Sequence, residues 1–182
     1  MADPVEAVAE KLLGCLLERR IGEERVLVRI VETEAYDQWD EASHTFRGVT
    51  PRNEVMFGPA GFLYVYFTYG MHYCCNVVTG TAGTGSAVLL RGAEPIEGIE
   101  AIERNRGVRG AGATNGPAKL CQALAIDREL NGHDLHESPL KLRSGGLRPE
   151  ESVIRSTRIG ITKATDLVRR FHVEGNPFVS RK

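Results

Sequence analysis

Residues 25–36, Arg25-Val-Leu-Val-Arg-Ile-Val-Glu-Thr-Glu-Ala-Tyr36, read as one long strand, rich in Val and Ile, that ends in two carboxylates and a phenol. Side chains alternate faces along a strand, which predicts Val28, Ile30, Glu32, Glu34 and Tyr36 on one side. An apolar face that stops in acidic and phenolic groups describes a strand that enters an interior and finishes in a pocket. The competing description is a frayed strand end with two solvated glutamates, and residues farther along decide between them.

The flanking sequence supplies partners for this strand. Asp3-Pro4-Val5-Glu6 predicts a helix start, with Asp3 as N-cap and Pro4 at the first helical position. Val5, Val8, Ala9, Leu12 and Leu13 form its apolar face, and Gly14 ends it. Residues 15–20 pair with the long strand through Ile21-Gly22-Glu23-Glu24. Residues 37–61 form a loop, a length that is either functional or broken by short helical pieces. Segments 62–68 and 73–79 make a second strand pair around Tyr69-Gly70-Met71-His72, and 87–91 adds another strand. Pro95 opens an amphipathic helix with Ile96, Ile99 and Ile102 inward. Residues 105–116, with four glycines, read as a mobile loop, and 117–126 as a helix burying Leu120 and Leu124 with Ala123 or Ile126. Short strands near 157–162 and 170–174 finish the chain. Edge helices and strands joined by hairpins define an α+β fold with a mainly antiparallel sheet, expected as one domain over 1–182.

Bulk properties narrow the classes. No run of 18 apolar residues is present, so no membrane span is expected, and Met1-Ala2-Asp3-Pro4 lacks the features of a signal peptide. Cys15, Cys74, Cys75 and Cys121 form no CxxC, and adjacent Cys74 and Cys75 would face opposite ways, which suits free thiols in a reducing compartment. A net charge of −1 gives no global case for nucleic acid, but residues 141–182 carry ten Lys/Arg against four Asp/Glu. That segment is either a phosphate-facing surface or a solvated tail.

Several side chains converge on one chemistry. Glu34 and Tyr36 share a strand face, His44 follows on the next loop, Tyr66 stands on a neighbouring strand, and Asn76 and Arg91 lie on strands that can meet them. Aromatic faces around a carboxylate suit a flat, electron-poor ligand. A cationic alkylated purine would gain ~1–2 kcal/mol of cation–π attraction there. The carboxylate would deprotonate a water, with Arg91 keeping it ionised and Glu32 or an apolar wall opposing ionisation. A metal site from Glu32, Glu34 and His44 is the rival, without HxxxH or HxH spacing. Tyr69, in a tight turn, either folds over the sheet or projects as a wedge between bases. Lys119, in the first turn of its helix, suits a phosphate contact, whereas Cys121 reads as core. No GxGxxG, P-loop, GxSxG or zinc-deaminase signature is present.

Five of these stretches stand in one order: Val31-Glu-Thr-Glu-Ala-Tyr36, Thr50-Pro-Arg-Asn53, Leu63-Tyr-Val-Tyr66 with Tyr69-Gly-Met71, Leu89-Leu-Arg91, and Gly116-Pro-Ala-Lys-Leu-Cys-Gln-Ala-Leu124. Together they resemble the alkylpurine, or 3-methyladenine, DNA glycosylases, over about residues 10–180. The resemblance implies a curved antiparallel sheet with a projecting hairpin. It implies Glu34 as the base that activates water, and Arg91 as the group that helps hold it. Tyr36, His44 and Tyr66 would be the rings around the excised base, and Asn76 a floor residue selecting against guanine's 2-amino group. Tyr69 would be the DNA wedge, and the Gly116–Lys119 helix start a phosphate contact. The implied activity is monofunctional hydrolysis of alkylated purines from duplex DNA, with hypoxanthine and ethenoadenine as further candidates. The implied protein is a monomer with no cofactor and no metal, in the cytoplasm and nucleoid of a bacterium or the nucleus of a eukaryote. The departures lie at residues 37–41, His72, Cys75 and Arg169-Arg170-Phe171-His172, and they bear on base preference. The alternatives are a damaged-DNA-binding module of the same fold without chemistry, and a metal-dependent hydrolase.

Overall fold

The computed structural model describes residues 3–68 and 70–180. Strand β2, Glu24–Asp37, is the axis of an antiparallel sheet that curves into a half-barrel. Along one edge it pairs with β5, Ser86–Glu97. Its other edge is shared. Strand β1, Leu16–Ile21, covers Glu24 to Arg29, and β8, Arg170–Val173, takes over at Glu32 to Glu34. Beyond β5 come β4, His72–Val78, and β3, Leu63–Thr68, and beyond β1 lies β6, Leu140–Arg143. Strand β7, Val153–Ser156, pairs with β8. Helices α1 (Val5–Lys11), α2 (Ile99–Arg106) and α3 (Pro117–Ala123) complete the α+β architecture.

Strand periodicity sorts the side chains into two faces. Leu63 and Val65 on β3, Cys75 and Val77 on β4, and Val88 and Leu90 on β5 join the main core with Ala9, Leu120 and Leu124 from the helical side. The intervening residues Tyr64, Tyr66, Cys74, Asn76, Leu89 and Arg91 turn the other way, where they line a cavity. Cys74 and Cys75 thus face opposite sides, as their adjacency requires.

The long strand departs from the alternation expected of it. Val26, Val28 and Ile30 belong to the helix-side core, but so does Ala35, and Thr33 donates from Oγ1 to the Ala9 carbonyl in α1 at 2.9 Å. Even positions face the helices before residue 31 and odd positions after it. The β2–β5 register shifts between Ile30 and Glu32 and again before Thr33. A β-bulge inserts a residue on one strand and so flips the facing of every residue beyond it. Val28 and Ile30 therefore do not share a face with Glu34 and Tyr36. The bulge carries the acidic end of the strand to the cavity side.

Other boundaries also move. Pro4 is the N-cap of α1 and Asp3 makes no cap; its carboxylate pairs with Lys11 at 2.6 Å. Pro95 lies inside β5 opposite Val28, at a register shift where its missing N–H is tolerated, and α2 starts only after Gly98. Ile96 and Ile99 are consequently exposed, and Ile102 alone of the three is buried. Helix α3 ends at Ala123, since Ala125 takes a positive φ of 47°, although Leu124 and Ile126 are still buried. The 105–116 segment holds a 3₁₀ turn, Gly110–Ala113, fixed by Arg106 Nε to the Ala113 carbonyl at 3.0 Å. Residues 157–162 are not a strand, and residues 159–163 form the cavity's far wall. Among the described residues, no helix is long and apolar enough to cross a membrane.

Candidate active site

A cavity of about 480 Å³ opens on the face of the sheet turned away from the main core, with Pro117 at the start of α3 also lining it. Tyr36 from β2, Tyr66 from β3, Asn76 from β4, Arg91 from β5 and His44 from the 38–62 loop all line it. Five residues nominated from separate stretches of sequence are therefore brought to one place. The His44 and Tyr66 rings meet edge to face at 4.6 Å and 82°, and Tyr64 stacks behind Tyr66 at 5.6 Å. His44 is held from two sides: its Nδ1 meets the Tyr64 hydroxyl at 3.0 Å, and its carbonyl accepts from Asn53 Nδ2 at 2.7 Å. Burial and the Arg52 cation hold His44 below the ordinary value of 6.5, so a neutral imidazole faces the cavity at pH 7. A neutral ring does not repel a cationic guest. Asn76 is fixed by its amide, which donates to the Tyr64 carbonyl at 3.2 Å.

Glu34 lies directly beneath this slot. Its carboxylate is fully buried, and each of its three partners is a cavity-lining residue. The Ile159 backbone N–H donates to Oε1 at 2.8 Å, while the Tyr36 hydroxyl and Arg91 Nη1 donate to Oε2 at 2.8 and 3.2 Å. Burial and the Glu34 charge push the Tyr36 phenol well above its ordinary range, so it remains a donor. Burial works against the Arg91 charge, but the Glu34 and Glu32 carboxylates outweigh it and hold the guanidinium protonated.

Glu32 has a different task. Its carboxylate accepts from Arg91 Nε at 3.0 Å, Arg170 Nε at 2.7 Å, and the Ser180 N–H and hydroxyl at 2.6 and 2.8 Å. It orients Arg91 from behind. Because Glu32 points to Arg170 and Ser180 and His44 to Tyr64, these two do not converge with Glu34 as metal ligands would.

The basic 141–182 segment is mostly spent on internal pairs. Arg143 binds Glu18, Arg148 binds Glu94, Arg155 binds Glu10, Arg158 binds Asp40, and Arg169 binds Asp37. Lys119 is exposed and bonded to Asn115 Oδ1 at 2.8 Å, outside the cavity wall. Positive charge that makes no ion pair among the described residues gathers elsewhere, beside one acidic residue, Glu41. A hollow of about 260 Å³ adjoins the cavity through His44 and Lys163 and is lined also by Arg47 and Arg52. Sequence reasoning passed over these three cations, although Arg52 sits in the Thr50-Pro-Arg-Asn53 motif. Arg158 and Ile159 were missed as well. The residue nominated as a wedge, Tyr69, lies outside the described residues.

The Arg158–Asp40 pair is wholly buried, with both side chains at 0% exposure. Burial raises the Asp40 pKa, but Arg158 more than offsets it and holds the carboxyl below its ordinary 3.8. A depressed folded-state value means that the stabilisation is complete above about pH 4 and is lost as pH falls through the folded value. Asp40→Asn is therefore expected to cost about 3 kcal/mol at pH 7. The gap from the parent should narrow below about pH 4, as urea unfolding at pH 7 and pH 3 would show.

A curved antiparallel sheet with a carboxylate–arginine pair under an aromatic slot offers a base and a place for a flat ring. Residues 1–177 match the family described as methylpurine-DNA glycosylase. A protein of Carboxydothermus hydrogenoformans is 51% identical over 183 residues, covering 100% of this chain and 96% of its own. One of Methanoculleus marisnigri is 50% identical over 179 residues, covering 96% and 93%, and one of Chlorobaculum parvum is 47% identical over 180 residues, covering 97% and 86%. All three carry the name "Putative 3-methyladenine DNA glycosylase". The class is that of the DNA glycosylases. Within it, the chain belongs to the methylpurine-DNA glycosylase family.

Proposed function

We propose that the protein hydrolyses the N-glycosidic bond of alkylated purines, 3-methyladenine and 7-methylguanine foremost, after the nucleotide has swung out of duplex DNA into the cavity. The observation that carries this reading is the Glu34 carboxylate, paired with Arg91, beneath the Tyr36, His44 and Tyr66 rings. Alkylation at N3 or N7 places positive charge on the base, which then departs with the bonding electrons without much acid assistance. Water adds to C1′ of the oxocarbenium-like sugar, and its proton passes to Glu34. The product is an abasic site and a free purine. Extruding the nucleotide costs a few kcal/mol, least for a damaged or mispaired base, which itself biases selection.

Glu34 contributes no surface to the cavity, so a water must enter between it and one of its donors. The Arg91 contact, at 3.2 Å, is the longest of the three. A water inserted there would donate to the carboxylate and accept from the guanidinium, which fixes one lone pair toward the cavity. Asn76 offers its amide to the base edge, and its position suits discrimination against a 2-amino group. Neutral lesions such as hypoxanthine and ethenoadenine are poorer leaving groups and depend more on such edge contacts. Tyr69 is assigned to the gap left in the duplex by the resemblance alone. The protein is expected to act as a monomer and without a cofactor.

The test is a panel of short duplexes, each with one lesion, incubated with enzyme and chelator and then treated with alkali. Alkali-labile cleavage at 7-methylguanine and 3-methyladenine that persists in chelator supports the proposal. Uncut duplexes that are nevertheless bound would leave only a damage-binding module.

The hollow beside the cavity is assigned to the DNA backbone, because Arg47, Arg52 and Lys163 line it and none of them is held in an ion pair among the described residues, Arg52 donating instead to the Phe67 carbonyl at 3.2 Å. Arg47→Ala or Lys163→Ala is expected to weaken damaged and undamaged duplex alike. Each should reduce the slope of log K against log salt by about 1 if one phosphate contact is lost. A salt series by fluorescence anisotropy reads both effects.

A further inference from the structure

We propose that Arg158, locked to Asp40, is a positioning residue for the general base: it fixes the backbone so that the Ile159 N–H is delivered to Glu34. This rests on the reading of Glu34 as the base.

The geometry is over-determined around one guanidinium. Arg158 Nη1 donates to the Ala35 carbonyl at 3.0 Å and to Asp40 Oδ2, and Nη2 donates to Asp40 Oδ1 at 3.0 Å and toward the Ala164 carbonyl at 3.4 Å. The cation also lies over the Tyr36 ring, 4.5 Å from its centroid. One side chain therefore ties the end of β2, the loop after it and both ends of the 158–164 segment into a single unit. A planar fork with fixed donors can do this; a single ammonium cannot reach all four acceptors.

Two groups of the reaction depend on that unit. The next residue, Ile159, gives its N–H to Glu34 Oε1 at 2.8 Å, and residues 159–163 form the cavity wall. Tyr36, whose hydroxyl donates to the other Glu34 oxygen at 2.8 Å, has its ring covered by the same cation. Segment 157–169 has no sheet ladder of its own between β7 and β8, so nothing in regular secondary structure sets the Ile159 N–H. With Arg158 gone, the carboxylate would keep Arg91 but lose its directed backbone donor. Misplacing a reacting group by about 1 Å costs on the order of 10²-fold in rate.

The experiment compares Arg158→Lys and Asp40→Asn, each in the Glu34 parent and in Glu34→Gln, on a duplex carrying one 7-methylguanine. Single-turnover excision and duplex affinity are measured for every protein that shows a cooperative thermal transition. In the Glu34 parent either substitution should slow excision about 30- to 100-fold while duplex affinity stays within about 3-fold. In the Glu34→Gln background neither should slow it further, because the route of action is already cut. An equal loss in both backgrounds would mean general damage to the fold and overturn the proposal, as would an unchanged rate in either folded variant. Full activity of Glu34→Gln itself would instead remove the base assignment, and the Arg158 proposal with it. Should Arg158→Lys fail to fold, Asp40→Asn alone decides, since the amide keeps the shape and one acceptor for the fork.

Discussion

Glu34→Gln is expected to lower single-turnover excision of 7-methylguanine by about 10²- to 10⁴-fold, the range associated with losing a positioned acid–base group. Affinity for the damaged duplex should stay within about 3-fold, because the carboxylate contributes no surface to the cavity where the base would stack. Glutamine is isosteric, but its hydrogen bonds are mismatched. Three donors, the Ile159 N–H, the Tyr36 hydroxyl and Arg91, converge on the native carboxylate. One amide oxygen satisfies only one side of that arrangement, and the NH₂ then opposes a donor. Some stability is therefore lost with the activity, and the thermal transition must be recorded beside the rate. A lesion whose base leaves as a neutral molecule after alkylation needs the least help from elsewhere. The residual rate should accordingly be larger for 7-methylguanine than for hypoxanthine. Retention of full turnover in a folded Glu34→Gln would leave the aromatic slot as a recognition site and end the case for base catalysis by this residue.

The convergence of Tyr36, His44, Tyr66, Asn76 and Arg91 was legible because each stands at a strand or loop position with a side-chain signature. The long strand was legible for the same reason: Val and Ile dominate its first half, and a pleated, half-buried surface selects them. What failed to register was geometry that leaves no mark on composition. The bulge near Val31 reverses the faces of the strand, and no residue type announces it. Without that reversal Glu34 would have pointed among the helices. Pro95 misled for a related cause, since a proline at a register shift inside a strand looks identical in sequence to a proline opening a helix.

The basic tail failed differently. Its charge count was right, but its partners, such as Asp40 for Arg158 at a separation of 118 residues, are set only by the fold. Ile159 acts through a backbone N–H, a group every residue but proline carries. Arg47 and Lys163 became visible only once the structure showed which cations make no ion pair among the described residues. Lys119, nominated for its place at a helix start, is spent on Asn115 and remains an expectation.

Arg91→Met should produce the largest loss of stability of any single change at the site. The guanidinium is 7% exposed and touches two wholly buried carboxylates, Glu32 at 3.0 Å and Glu34 at 3.2 Å, together with Ser180 Oγ at 3.1 Å. Methionine fills the volume of the stem and removes the charge. Glu32 retains Arg170 and the Ser180 N–H, whereas Glu34 is left with the Tyr36 hydroxyl and one backbone N–H. Removing one partner of a buried ion pair typically costs about 3–5 kcal/mol, because the other charge stays desolvated. For a chain of this length that is a fall on the order of 10 °C in Tm. The reason for the loss can be tested separately from its size. If the cost comes from an uncompensated Glu34 charge, then adding Glu34→Gln to Arg91→Met should restore about 1–3 kcal/mol, and the double variant should be more stable than Arg91→Met alone. If the cost comes from lost packing of the arginine stem, the second substitution will add to the damage. Excision should be slow in all three variants, which keeps the stability cycle independent of the activity. A gain on adding Glu34→Gln would show that the charge which makes Glu34 useful to a water is the same charge that makes Arg91 indispensable to the fold.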